Sequence, residues 1–248
     1  MEVLGIDVGG SGIKGAVVDL QNGKFTANRI RYPTPQPSTP RAVSEIIARI
    51  TQEFSWIQPI GVGFPAVVKK NVIFSAANVD RSWVGLDAGE LLTEATGCPV
   101  ALVNDADAAA LAELNYSGIK HKSGTVLFLT VGTGIGSGLI RDGRLIPNTE
   151  LGHLILEKFG EAEVYASNAA RKRDRLKWKD WAPRFGLYLR HLEDLFQPDC
   201  FIIGGGASKK GDRFVPYLNI ETRILMASLK NRAGIIGAAL VAKQTLYG

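Results

Sequence analysis

Residues 3–18 read VLGIDVGGSGIKGAVV, and residues 126–141 read VLFLTVGTGIGSGLIR. Each stretch is a β-prone apolar run, a turn built almost wholly of glycine and small residues, and a second β-prone run. After the first copy, Asn22-Gly23 marks another hairpin turn, so Lys24–Tyr32 is predicted as a third strand and the chain opens as an antiparallel meander. Beyond each copy the pattern alternates between helical and β periods. A strand–glycine turn–strand unit heading two near-equal halves predicts two related α/β domains. The expected division is residues 1–103 with 234–248 in one domain and 104–233 in the other.

Working outward, Pro33, Pro35, Pro37 and Pro40 mark a stiff connection. Thr39-Pro40 then supplies an N-cap and a first helical residue, followed by Val43, Ile46, Ile47 and Ile50 on one helical face. Ile60–Phe64 reads as a short buried strand running into Pro65. Asp87 with Glu90 opens a helix in capping-box style, and Gly97 closes it. Pro99–Val103 is predicted as a strand, and an alanine-rich helix runs from Asp105 to about Tyr116. Thr125–Val131 and Leu139–Arg141 flank the second glycine turn. Trp181, Phe185, Leu189, Leu192 and Phe196 have helical spacing, with Pro183 in the early turns. Cys200–Ile203 is a strand ending in Gly204-Gly205-Gly206, and a helix from about Gly234 to Gln244 closes the chain.

The 248 residues allow one or two domains, and 46% apolar residues suffice for a core. Two cysteines, Cys98 and Cys200, exclude a disulfide framework and a zinc site of three or four thiolates. They suit two small buried hydrophobes in a reducing compartment. The first residues, MEVLGIDVGG, lack the pattern of a signal peptide, and no stretch has the ~20 apolar residues of a membrane span. A soluble cytoplasmic protein is expected, with no membrane partner. The formal net charge of +5 makes a polyanionic partner worth testing.

Gly10-x-Gly12-x-x-Gly15 matches the dinucleotide fingerprint as a string, but that fingerprint needs a helix to follow it. Here Ala16-Val17-Val18-Asp19 is a β run, so a Rossmann site is rejected, and no P-loop string exists. What remains is a hairpin tip without side chains, where backbone N–H groups can approach a phosphate closely. Lys14 can add a charge there, and Asp7 can hold water around a Mg²⁺ ion. A tight turn with Asp7 as its cap is the plainer alternative for a single hairpin. A second glycine turn at 132–138 and a third cluster at 204–206 favour phosphate.

Asn104-Asp105 lies where a strand meets a helix, and strand C-termini in α/β folds face the ligand crevice. An Asp there can accept a proton from an attacking hydroxyl while the Asn orients the substrate; Asp105 is equally placed to be an N-cap. Asp107 is expected to be solvated. Glu150 and His153, three residues apart on one side of a helical turn, can grip vicinal sugar hydroxyls. His121 and His191 read as loop and helix-surface residues.

Together DVGGSGIKGAVVD (7–19), GVGFPAVV (61–68), NDADAAALAE (104–113), VGTGIGSGLI (131–140) and ELGH (150–153) resemble the ROK family of repressors and sugar kinases, and within it the polyphosphate glucokinase branch. The resemblance covers essentially the whole chain. It implies an α/β, actin-like ATPase (ribonuclease H-like) fold, with two domains around a central cleft that holds the sugar. It gives Asp105 the role of catalytic base on the sugar 6-hydroxyl. Asn104, Glu150, His153, Gly63, Asn78 and Glu163 (in E-x-x-x-S, 163–167) match sugar-binding positions. Gly9, Gly10, Ser11, Gly12 and Lys14 match a first phosphate loop, and Gly132, Thr133 and Gly134 a second, with Gly205, Lys209 and Lys210 adding to the phosphate site. Most relatives carry a cysteine-rich zinc segment after the His; residues 154–162, LILEKFGEA, contain no cysteine, so no zinc site is expected. With no winged-helix extension before Met1, a kinase is expected rather than a repressor, and a homodimer is implied by resemblance alone.

For the donor, Arg171–Lys179 holds six cations and one anion, and Lys209-Lys210 with Arg213 follows the third glycine cluster. Such runs are commonly solvated helix faces, but two of them near glycine loops suit a linear polyanion, whose grip would weaken with salt. Trp178 and Trp181 interleave with the charges as single-stranded nucleic acid would require. Trp181 belongs to the apolar stripe, so no nucleic-acid partner is expected. The expected activity is phosphoryl transfer from polyphosphate, and also ATP, to glucose O6, with Mg²⁺ as cofactor. A strictly ATP-dependent glucokinase or glucomannokinase is the alternative, and a non-catalytic sugar sensor a minor one.

Overall fold

The computed structural model describes residues 1–77, 79–118 and 123–247. The chain forms two compact units, Met1–Tyr116 with Arg232–Gly248 and Ser117–Asn231.

The first unit opens as the repeat predicts. Strand β1 (Glu2–Gly9) pairs antiparallel with β2 (Gly12–Asp19) over their whole length. The predicted third strand is instead two short pieces, β3 (Lys24–Phe25) and β4 (Ile30–Tyr32), both paired to β2. Helix α1 (Pro40–Glu53) starts where its cap predicts: the Thr39 hydroxyl accepts from the Ala42 N–H at 3.3 Å. It buries Val43, Ile47 and Ile50, while Ile46 is only partly covered. Strand β5 (Ile60–Phe64) follows, then the small hairpin β6 (Val68–Lys69) and β7 (Val72–Ile73). Helix α2 (Ala88–Thr96) is capped by Asp87 and stopped by Gly97 in the left-handed conformation. Strand β8 (Val100–Asn104) then feeds α3 (Asp105–Tyr116). The sheet order is β3-β2-β1-β5-β8, with β1, β5 and β8 parallel.

The second unit repeats the opening. Strand β9 (Thr125–Val131) pairs antiparallel with β10 (Ile135–Arg141), which begins inside the glycine run rather than after it. Next come β11 (Arg144–Ile146), the hairpin β12 (Ile155–Leu156) and β13 (Gly160–Glu161), and helices α4 (Ala162–Ala166), α5 (Asn168–Arg173) and α6 (Trp178–Phe196). Strands β14 (Cys200–Gly204) and β15 (Arg223–Met226) complete the sheet β11-β10-β9-β14-β15. Trp181, Phe185 and Phe214, all without solvent exposure, form its aromatic centre, with Trp181 stacked on Phe185 at 4.9 Å. Each such ring contributes about 1.5–3 kcal/mol by burial.

The closing helix α7 (Ala233–Leu246) returns to the first unit. It packs backbone to backbone: a Cβ on Gly61 would fall 1.8 Å from the Ala238 carbonyl oxygen, and one on Gly237 would fall 1.7 Å from that of Ala108. This close packing corrects the expected boundary at 103/104. Helix α3 is clamped against α7, so it and Asp105 belong to the first unit, and the divisions fall at 116/117 and 231/232. Asp107 is corrected as well, because α3 is covered along most of its length and Asp107 is fully buried.

Candidate functional site

In the first unit, three parallel strands end together. Register pairs Asp7 with Gly63 and Gly63 with Val103, so the C-terminal ends of β1, β5 and β8 bring Asp7, Gly63 and Asn104-Asp105 to one sheet edge. A Cβ on Gly63 would lie 3.8 Å from the Asp105 Cα. Asn104 is buried; its Oδ1 accepts from the Ala106 and Asp107 N–H groups at 2.9 and 3.1 Å, and its Nδ2 donates to the Ala66 carbonyl at 3.1 Å. Asn104 therefore caps α3, and Asp105 is the first helical residue, half-buried at a helix N-terminus that favours negative charge. The capping role open to Asp105 in the sequence falls mainly to its neighbour, although Asp105 Oδ1 also accepts from the Ala106 N–H at 2.8 Å.

The first glycine turn lies beside this edge. Gly9 faces Gly12, with Gly10 and Ser11 exposed at the tip. Lys14 Nζ donates to Asp7 Oδ2 at 2.9 Å. The Thr34 hydroxyl donates to the Gly9 carbonyl, and Arg31 donates to the Ser11 carbonyl at 2.8 Å. Sequence reasoning missed Arg31. Its only signal is a strand register that places it opposite Lys14, which requires the pairing of β2 with β4.

In the second unit, the turn from Val131 to Ile135 spans Gly132, Thr133 and Gly134. The Gly132 N–H donates to the Gly134 carbonyl at 3.0 Å, so this predicted phosphate-facing amide is engaged within the turn. Glu163, in the first turn of α4, accepts from the Ile135 N–H at 3.1 Å. A Cβ on Gly134 would stand 2.3 Å from Glu163 Oε2, so glycine is what admits the carboxylate. Glu150 precedes, and His153 ends, a short 3-10 turn, Leu151–His153. That turn is pressed onto β10: a Cβ on Gly152 would fall 2.0 Å from the Ile135 carbonyl oxygen, and the Leu151 N–H donates to Ser137 Oγ at 3.0 Å. Glu150, His153, Glu163 and the second glycine turn are thereby gathered in one place. Gly205 lies against the end of β9, with its would-be Cβ 2.7 Å from the Val131 backbone, and Lys209 and Lys210 are exposed just beyond it.

His153 has carboxylates around it. Its Nδ1 is 3.0 Å from Glu161 Oε2 and its Nε2 is 3.8 Å from Glu150 Oε2. The hydrogen bond to Glu161 raises the imidazole above its ordinary value, with Glu163 and Glu150 adding to the effect and partial burial opposing it. Partial burial raises the Glu150 carboxyl, against the pull of His153. His153, Glu161 and Glu163 also offer ligand atoms within 4.8 Å of one another, a grouping not anticipated without the hairpin that returns Glu161.

The basic run is only partly open. Arg171 covers the Trp178 ring at 4.1 Å, and Arg173 and Arg184 both grip Asp174, holding its carboxyl far below the usual range. Lys172, Arg175, Lys177 and Lys179 remain exposed. Trp181 is in the core, donating to the Ala166 carbonyl at 3.1 Å, so it offers no face to a nucleobase. His191 is half-buried on α6. Asn78 and His121 lie outside the described residues. No described helix is long and apolar enough to cross a membrane.

Two α/β units, each opening on a strand–glycine turn–strand hairpin, make this a protein of the actin-like ATPase fold, the architecture the resemblance implies. The chain belongs to the ROK family, whose model matches residues 3–179. It is 48% identical over 238 residues to the polyphosphate glucokinase of Mycobacterium tuberculosis (strain CDC 1551 / Oshkosh), covering 95% of this chain and 89% of that protein. It is also similar to the crystal structure of the inorganic polyphosphate/ATP-glucomannokinase from Arthrobacter sp. strain KM, with a TM-score of 0.93 and 47% identity over 98% of both chains. The ROK family glucokinase from Streptomyces griseus, in complex with glucose and AMPPNP, gives a TM-score of 0.82 at 25% identity, covering 98% of this chain and 100% of that one.

Proposed function

We propose that this protein is a polyphosphate glucokinase, transferring the terminal phosphoryl group of inorganic polyphosphate, and also of ATP, to the 6-hydroxyl of glucose to give glucose 6-phosphate. The observation that carries the reading is Asp105, held by an Asn104 cap at the sheet edge beside the glycine turn of Asp7 and Lys14, in a chain 48% identical to a protein named for that reaction. The glucose O6–phosphorus bond forms, the bond from that phosphorus to the next bridging oxygen breaks, and Asp105 takes the hydroxyl proton. Asn104 sets Asp105, while Glu150, His153, Glu163, Gly63 and Asn78 hold the sugar. Amides of Gly9 to Gly12 and of Thr133, Gly134 and Gly205, with Lys14, Lys209 and Lys210, take up phosphate charge.

A divalent cation, Mg²⁺ in our reading, fits the first turn. Lys14 occupies Asp7 Oδ2, so Asp7 would offer its other hard carboxylate oxygen to an ion held through waters and substrate phosphates. When bound, the ion neutralises phosphate charge. Two buried free thiols, Cys98 and Cys200, suit a reducing cytoplasm, and burial pushes the Cys200 thiol up to about 11. A homodimer follows from the resemblance and is tested by light scattering.

The deciding assay supplies purified protein with nucleotide-free polyphosphate and glucose. Formation of glucose 6-phosphate is expected, and activity with ATP alone would reject the polyphosphate reading in favour of an ordinary glucokinase. Mannose belongs in the same assay, because the Arthrobacter neighbour is named a glucomannokinase.

A further inference from the structure

Glu161 has no role in the reading above, yet its surroundings are specific. Register in the β12–β13 hairpin pairs Ile155 with Glu161 and so brings Glu161 back beside His153. Glu161 occupies the N-cap position of α4 in an extended conformation, but its side chain makes no capping bond to the helix. The carboxylate turns to His153 instead, with Oε2 at 3.0 Å from Nδ1. Glu163, two residues on, goes the other way to the Ile135 N–H. The neighbouring glutamates thus divide the work, one on the imidazole and one on the glycine turn.

An ionised carboxylate can only accept, so the His153 nitrogen facing it must carry the hydrogen. The side chain is 41% exposed, and its two flipped orientations differ in which ring nitrogen meets a hydrogen-bond partner. Glu161 removes that choice. With hydrogen on Nδ1, the neutral ring presents Nε2 as an acceptor, and the protonated ring presents Nε2–H as a donor. Nε2 is the nitrogen on the Glu150 side.

We propose that Glu161 is a positioning residue for the hexose site: it fixes the ring orientation and Nδ1–H tautomer of His153, so that Nε2 is the atom offered to a sugar hydroxyl. This rests on the reading that His153 contacts the sugar. The groups facing the imidazole, Glu150, Glu161 and Glu163, all favour its protonated form.

The test uses the full-length wild type with Glu161→Ala, Glu161→Gln and His153→Ala. Long-range ¹H–¹⁵N NMR of sugar-free protein reads the His153 tautomer, and steady-state kinetics at saturating donor reads KM for glucose apart from kcat. Wild type is expected to hold the hydrogen on Nδ1. Glu161→Gln, whose amide oxygen can still accept, should keep that tautomer and a near-normal glucose KM. Glu161→Ala should lose the tautomer bias and raise glucose KM about tenfold, the worth of a hydrogen bond to a charged group, with kcat far less affected. An Nε2–H tautomer in the wild type overturns the proposal. So does a stoichiometric metal ion lost from Glu161→Ala, because a metal on Nδ1 excludes the proton. If His153→Ala leaves glucose KM unchanged, the sugar reading of His153 fails, and the NMR result alone then decides whether Glu161 sets the ring.

Discussion

In the first hairpin, Gly9 faces Gly12 across a two-residue turn, and the charges beside it, Asp7 and Lys14, come from the hairpin itself and pair with each other. In the second, Val131 faces Ile135 across three residues, and the carboxylate against the turn comes from Glu163 on a separate helix. Two copies of one supersecondary unit thus share their antiparallel strands and differ in turn length and chemistry. The first pairs two charges of its own strands, with Arg31 of β4 adding only a bond to the Ser11 carbonyl. The second depends on packing elsewhere, and that dependence passes through a single missing methyl group at Gly134.

Substitutions can break this contrast at different strengths. The largest loss belongs to neither turn but to the residue the first sheet edge presents: Asp105→Ala should lower kcat by ~10²–10⁴ with either donor, while calorimetry shows glucose binding retained. Gly134→Ala comes next. Its Cβ would stand 2.3 Å from Glu163 Oε2, so the carboxylate must move, and glucose KM should rise about tenfold, the worth of a displaced charged hydrogen bond. Gly10→Ala, with nothing within 4 Å of its Cβ, should leave glucose KM unchanged, and equal effects at both glycines would erase the contrast.

Lys14→Ala has a smaller expected effect. It removes the ion pair with Asp7 and should raise donor KM severalfold at low salt, less at high salt where exposed charges are screened. The smallest effect is on stability. The His153 pKa lies above 6.5 in the fold, chiefly through Glu161, so protonation favours the folded state. That contribution is fully present below pH 6.5 and is lost as pH rises through the folded value. Because the ring is 41% exposed, the loss should be worth under about 2 °C in melting temperature, and it should shrink further in Glu161→Gln.

Local rules carried far in this sequence. Thr39, Asp87 and Gly97 delimit their helices as capping chemistry predicts, because a cap involves residues three or four apart. The strands of both hairpins and Asp105 at a strand–helix junction were readable for the same reason. What escaped was set by partners distant in sequence. Asp107 looks like a solvated residue until α7 covers α3, and the domain boundary moves with that helix. Arg31 gains meaning only from its register opposite Lys14, and Glu161 only from the hairpin that returns it to His153. The capping of α3 by Asn104 likewise runs through backbone groups that a sequence does not display.

Helix α7 also sets a timetable. The first unit is assembled from residues 1–116 and the segment from Arg232 onward, with Gly61 and Gly237 shaped to receive backbone rather than side chains. On the ribosome, every residue of the second unit is made before that helix exists. The central strands of the first unit therefore gain the cover of that helix only after the second unit has been synthesised.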